Sequence, residues 1–185
     1  MTDETLDLST ISMEQLEALS IDDLLSNNIG DYSLSSNLPD GIFFGYIEKV
    51  DVRRLAARVE DGKKGQLQLN LMINVVQAHT LADPSEDKSS FVGRKHFESY
   101  NLLTDFGVSN LIKLLLGIVG VSYKDKKAIA ELNQNPKELL DELVNNHVVF
   151  GFTIKNTERN GFENCNVVLK EKNFIDMNRA LEIVG

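Results

Sequence analysis

The chain has 185 residues, which is enough for one domain with a sizeable hydrophobic core. Its hydrophobic fraction of 42% and charged fraction of 25% are those of a globular protein. No apolar run reaches the roughly 18 residues of a membrane span, and the acidic amino terminus is unlike a signal peptide. The single cysteine, Cys165, excludes an intrachain disulfide and is typical of a protein in the reducing cytoplasm.

The formal net charge of −9 is unevenly distributed. Residues 1–47 contain nine acidic side chains and no Lys or Arg, so the rest of the chain carries 19 acidic and 19 basic side chains. The sequence therefore predicts a neutral body preceded by a strongly acidic segment.

Residues 1–38 are predicted to form an acidic, partly disordered arm with one or two short helices. Ser12 to Gln15 has the form of a capping box, and Ser20 begins a weaker second start signal. Three interpretations are open: a solvated tail or a flap on its own domain, a mimic of nucleic acid that competes for a basic face, or a docking peptide. The docking peptide would present its apolar side chains, Leu16, Leu19, Leu24 and Leu25, to a partner.

Two long strands, residues 43–59 and 66–76, are predicted to form a hairpin whose turn contains Asp61-Gly62. In the second strand apolar residues alternate strictly with Gln, Asn and Met, which predicts one buried face and one amide-rich outer face. A third strand is predicted over residues 93–102.

The second half of the folded region begins with helices. Thr104 and Gly120 bound a predicted buried helix, a short helical piece covers residues 125–133, and Asn135-Pro136 starts another helix that ends at His147. Two strands, residues 148–155 and 162–169, follow around an Asn160-Gly161 turn. A short helix is expected near residues 177–183.

This order, three strands, a helical insertion and two strands, predicts a mainly β OB-like five-stranded barrel with mixed β and α elements. An open α+β sheet and a β-sandwich with a helical insertion are the competing architectures. We place the barrel domain in residues 39–172 and a carboxyl-terminal tail, which contains the expected short helix, in residues 173–185.

Several stretches resemble a phage family of small, OB-type, single-stranded-DNA-binding proteins of replication and recombination modules. The resemblance covers about residues 41–170 and rests on Gly45-Tyr46-Ile47, the alternating strand 66–76, Gly93 to Phe97, the apolar helix and the closing strands. It implies sequence-independent binding of single-stranded DNA in phage replication or recombination. Such proteins often end in an acidic carboxyl-terminal tail, whereas this chain has its acidic segment at the other end, so the recruitment of replication or recombination partners has either moved to the arm or been lost.

Binding of single strands requires a basic groove and aromatic rings on which bases stack. The same residues also have structural interpretations, because turn lysines are usually solvated and strand aromatics often belong to the core. Arg94 and Lys95 have equally good partners in Glu98, Glu86 and Asp87. The predicted nucleic-acid-binding residues are Arg53, Arg54, Arg58, Lys63, Lys64, Arg94, Lys95, Lys155 and Arg159, with the aromatic residues Tyr46, Phe97, Tyr100 and Phe162.

The sequence lacks nucleotide-binding and hydrolase motifs, which predicts a non-enzymatic protein without a cofactor. His79, His96 and His147 have no ligand spacing, so we expect no metal site, and Cys165 is interpreted as a small buried residue. Besides single-stranded DNA and arm-binding proteins, a second copy of the chain is a possible partner, and a membrane is not. The alternative function is a protein-interaction or virion scaffold that uses the helices of the arm as a docking peptide. With either function we expect the protein in the cytoplasm, which is that of the host if a phage encodes it.

Overall fold

The structure is a computed structural model that describes residues 38–55, 65–134, 136–159 and 162–184, with the backbone alone for residues 131–134, 159, 162 and 163. Several predictions fall outside these limits. They concern the short helices of the arm with Leu16, Leu19, Leu24 and Leu25, the Asp61-Gly62 and Asn160-Gly161 turns, the basic residues Arg58, Lys63 and Lys64, and the side chains of Arg159 and Phe162.

Three antiparallel strands form the first part of the sheet: β1 (Gly41–Leu55), β2 (Gln66–Leu81) and β3 (Lys95–Asn101). β1 pairs with β2, and β2 pairs with β3, which confirms the predicted hairpin and third strand. β2 extends beyond the predicted end at Val76, because its last residues pair with Gly41 and Ile42.

Helix α1 (Asp105–Val119) begins and ends where the sequence predicts. The Thr104 hydroxyl accepts a hydrogen bond from the Gly107 N–H at 3.1 Å, and Gly120 follows the last turn with φ 73°. Four leucines of α1 are buried, as expected for a core helix: Leu111, Leu114, Leu115 and Leu116.

Two shorter helices follow, α2 (Lys126–Gln134) and α3 (Pro136–Asn145). Pro136 is the first residue of α3, where its missing N–H leaves no helical hydrogen bond unmade. His147 lies just beyond the end of α3 in the left-handed region, with φ 46°, and the chain turns there into the next strand.

The remaining elements are β4 (Phe150–Arg159), β5 (Phe162–Val167), the two-residue strand β6 (Phe174–Ile175) and helix α4 (Met177–Val184). β4 pairs with the start of β1, with β5 and with β6, all antiparallel. The strand order is β3-β2-β1-β4-β5, with β6 on β4, so the fold is a mainly β antiparallel sheet accompanied by helices.

The sheet is open, which corrects the prediction of a closed barrel. β3 and β5 are its two edges, and within the described part of the chain no backbone ladder joins them. The Glu98 side chain of β3 spans the gap instead, because its Oε1 accepts a hydrogen bond from the Val167 N–H of β5 at 2.7 Å.

The hydrophobic core lies on the inner side of the sheet, against α1 and α3. The alternating residues of β2 from Leu69 to Val75 are buried there, as their pattern predicts. Gly45 allows β1 to approach its neighbours closely, since a Cβ at this position would lie 2.5 Å from the Asn74 carbonyl oxygen.

Candidate nucleic-acid interface

The solvent side of β1, β2 and β3 presents four rows of side chains, which we call the outer face. Cross-strand partners lie on the same side of a sheet, so the register assigns one residue of each strand to every row. The intervening residues of β2 and β3 are buried on the inner side, which fixes the orientation. Row by row, the outer face consists of Tyr46, Asn74 and Lys95; Lys49, Met72 and Phe97; Asp51, Asn70 and Ser99; and Arg53, Gln68 and Asn101.

Two aromatic rings lie in adjacent rows of the outer face. Phe97 is 66% exposed, an unusual position for a large apolar ring. Tyr46 is more firmly held: its ring lies 4.6 Å from the imidazole of His147, and its hydroxyl accepts a hydrogen bond from Asn74 Nδ2 at 2.9 Å. Strand spacings place the two residues about 12 Å apart on either side of β2. Exposed and oriented rings of this kind provide surfaces on which bases can stack.

Carboxylates neutralise two of the three cations on the outer face. Lys95 Nζ forms an ion pair with Glu48 Oε2, and Arg53 Nε lies 3.4 Å from Asp51 Oδ2. The Arg53 and Asp51 side chains are 69% and 47% exposed, so water competes with their contact and it is weak. Lys49 is the third cation and is exposed. The outer face is therefore only slightly positive.

Two asparagines of β2 lie in the first and third rows of the outer face. Asn70 Nδ2 and Asn74 Oδ1 are shielded from solvent and have no hydrogen-bond partner among the described residues. An unmade hydrogen bond of this kind costs roughly 1–3 kcal/mol. Because both atoms are shielded, a nucleic acid could bond to them only if the amides rotated outward.

The predicted residues are thus divided among several places. Tyr46, Arg53, Lys95 and Phe97 meet on the outer face, but Arg54 does not join them. Arg53 and Arg54 are neighbours in a strand and project to opposite sides of it, so only Arg53 belongs to the outer face.

Three further predicted residues lie elsewhere. Arg94 is held at the loop before β3, where its Nε donates to the Ser90 carbonyl and its guanidinium lies 4.6 Å from the Phe91 ring centroid. Lys155 lies on β4 in a separate cleft. Tyr100 is 4% exposed, because it shares the inner side of β3 with Glu98, and the prediction that it stacks on a base is corrected.

A buried polar cluster at the gap between β3 and β5 was not expected from the sequence. Glu98 Oε1 lies 2.8 Å from His96 Nε2, and the Tyr100 hydroxyl lies 3.4 Å from Glu98 Oε2. Cys165 Sγ lies 3.8 Å from His96 Nδ1. The alternation of β3 could have predicted this cluster, because it places three polar residues on the inner side of the strand.

The pKa of the Cys165 thiol is raised to about 11, mainly by burial and also by the nearby carboxylates of Glu98 and Asp40. The thiol is therefore protonated at neutral pH and is a poor nucleophile. Among the residues with described positions, no three His, Cys, Asp or Glu side chains are close enough to hold a metal ion.

Comparison of the chain with protein-family models and with curated proteins gives no match. None of the helices in the described ranges combines the length and the apolar character that a bilayer crossing requires.

Proposed function

We propose that the protein binds single-stranded DNA on the outer face, without a requirement for base sequence, in phage replication or recombination. The observation that supports the proposal most directly is the pair of rings, Tyr46 and Phe97, in adjacent rows of the outer face. Stacking on aromatic rings is sequence-tolerant, because every base has a π face.

The strand order supports an OB-type architecture for this function. In an OB barrel the face of strands 2 and 3 and the adjoining loops bind oligonucleotides. The order β3-β2-β1-β4-β5, with α1 between β3 and β4, is the one that such a barrel would have if it were opened between β3 and β5. Glu98 bridges that opening.

The charge of the outer face determines how the strand would be held. Because Glu48 and Asp51 are paired with Lys95 and Arg53, few cations are available to release counterions. Stacking supplies most of the affinity at this face, and the dependence of the affinity on salt is shallow.

Fluorescence polarisation with a labelled oligo-dT of about 8 nucleotides, a length within the site sizes of single OB folds, tests the proposal. Phe97→Ala should weaken binding about 10-fold, as expected for the loss of one stacking platform. Phe106→Ala is the matched control, because Phe106 is 77% exposed but lies off the outer face, and it should leave the affinity unchanged. No binding by the unaltered protein, or equal losses in the two variants, would refute the proposal.

A protein-binding scaffold is the second candidate function. Leu103 and Phe106, at the end of β3 and the start of α1, are 63% and 77% exposed, which is the kind of surface that a protein partner covers. Loss of a partner in Phe106→Ala, without any DNA binding by the unaltered protein, would favour this function.

A further inference from the structure

A second cationic surface lies at the end of β1 opposite to the hairpin turn. There the start of β1, the end of β2 and β4 enclose a cleft of about 510 Å³ together with the segment that follows β5. Three lysines line it, Lys155 from β4 and Lys170 and Lys172 from that segment, and we call it the lysine cleft.

The three ammonium groups of the lysine cleft have no carboxylate partner among the described residues. Asp40 also lines the cleft and contributes one negative charge, but its Oδ1 accepts hydrogen bonds from the Asn156 N–H at 2.6 Å and from Asn156 Nδ2 at 3.1 Å and does not pair with a lysine. Glu171 lies between two of the lysines in sequence, yet its Oε2 accepts from the Tyr123 N–H at 3.3 Å, outside the cleft. The cleft is therefore more positive than the outer face, where carboxylates pair with two cations.

Backbone and side-chain hydrogen bonds hold the lysine-bearing segment against β4. The Val168 N–H donates to the Thr153 carbonyl at 2.9 Å, and the Thr153 hydroxyl donates to the Asn173 carbonyl at 3.0 Å. The backbone that carries Lys170 and Lys172 is thus fixed beside Lys155 before any ligand binds, which lowers the entropy cost of binding an anion.

We propose that the lysine cleft is a second binding site for nucleic acid, which holds phosphates of a single strand after the strand leaves the outer face. The inference rests on the proposed function and adds a site to it. Ammonium groups are point charges suited to phosphate, and the lining contains no aromatic residue, so the cleft holds the backbone and not the bases.

The cleft lies close enough to the outer face for one long strand to bind at both sites, so that both contribute to its affinity. From Lys49 to Ile42 along β1 the strand rise gives about 20 Å between the ring-bearing row and the cleft. An oligonucleotide of about 8 nucleotides can occupy the outer face alone, whereas one of about 30 nucleotides is long enough to reach both sites.

The test compares these two oligo-dT probes in the variant Lys155→Gln/Lys170→Gln/Lys172→Gln. We expect about 10-fold weaker binding of the long probe and less than about 2-fold for the short one, with a salt slope for the long probe that is shallower by about 2. A control variant with the same charge change, Lys124→Gln/Lys126→Gln/Lys137→Gln, alters exposed lysines outside both sites and should not distinguish the probes. Thermal unfolding of both variants checks that the fold is intact.

The outcomes separate the two proposals. If the unaltered protein binds the short probe but the lysine-cleft variant binds the long probe normally, the second site is refuted and the outer face stands. Equal losses in the cleft and control variants also refute the second site, because they would reflect net charge alone. If the unaltered protein binds neither probe, the proposed function itself is wrong.

Discussion

The carboxylates of the outer face give the sharpest test of its role. Glu48→Gln and Asp51→Asn keep the size of each side chain while removing the negative charges beside Lys95 and Arg53. If a polyanion binds this face, each substitution should strengthen binding, because it removes repulsion and frees a cation. Substitutions that improve a function are less open to confusion with damage to the fold than substitutions that abolish it.

The expected gain follows from Coulomb's law. A unit charge about 4.5 Å away in water contributes roughly 0.9 kcal/mol, which a Debye length of about 10 Å at 0.1 M salt reduces to roughly 0.6 kcal/mol. Each substitution therefore gives about a threefold gain in affinity, and the double variant about a sevenfold gain. Two freed cations also steepen the salt slope by about 1.4.

Polarisation with the short oligo-dT probe over a salt series measures both quantities. Glu138→Gln/Glu182→Gln is the control, since it removes the same charge at exposed helix positions outside the outer face. An unchanged affinity in the Glu48/Asp51 double variant, or an equal gain in the control, would show that the strand does not contact this face.

Three more predictions concern the cluster at the gap and the arm. Glu98→Ala removes the acceptor for the Val167 N–H and the partner of His96, and it should lower the free energy of unfolding in urea by roughly 3 kcal/mol, whereas Glu98→Gln should cost less; equal costs would mean that the acceptor is unimportant. Cys165, with its pKa raised from 9.0 to about 11, should react with iodoacetamide at pH 8 about 10- to 100-fold more slowly than in the unfolded chain. The cysteine's contribution to stability should be complete below about pH 9 and lost as the pH rises towards 11, and a fast reaction at pH 8 would contradict its burial. Deletion of residues 1–37, which contain eight carboxylates and no Lys or Arg, should tighten DNA binding at low salt and have little effect at high salt; unchanged binding with loss of a protein partner would support a docking peptide instead.

The strands and helices were predictable where local chemistry determines them. The alternation of β2 assigned its buried residues, and Thr104, Gly120 and Pro136 marked helix ends, because caps and turns act within a few residues. The last residues of β2 were missed, since they do not alternate and are held by pairing with the start of β1.

The side of the sheet on which each predicted binding residue lies could also have been derived from the alternation of side chains along a strand. Phe97 and Tyr100 are separated by an odd number of positions in one strand, so they cannot share a face, and only one of them could be an exposed platform. The same reasoning separates Arg53 from Arg54. The gap between β3 and β5 was beyond such reasoning, because Glu98 meets Val167 across 69 residues of sequence and no local pattern records that distance.

The positions of rings and charges suggest that two regions of the sheet would hold a single strand by different forces. On the outer face, carboxylates pair with two of three cations beside Phe97, so a strand bound there would depend on stacking and its affinity would change little with salt. The three ammonium groups of the lysine cleft have neither a carboxylate partner nor an aromatic residue in the lining formed by the described residues, so a strand bound there would depend on counterion release. A longer oligonucleotide should therefore show a steeper dependence of affinity on salt than a short one, while the two affinities should differ little at high salt. If the slope is the same for short and long probes, one region accounts for both, and this division of the sheet is wrong.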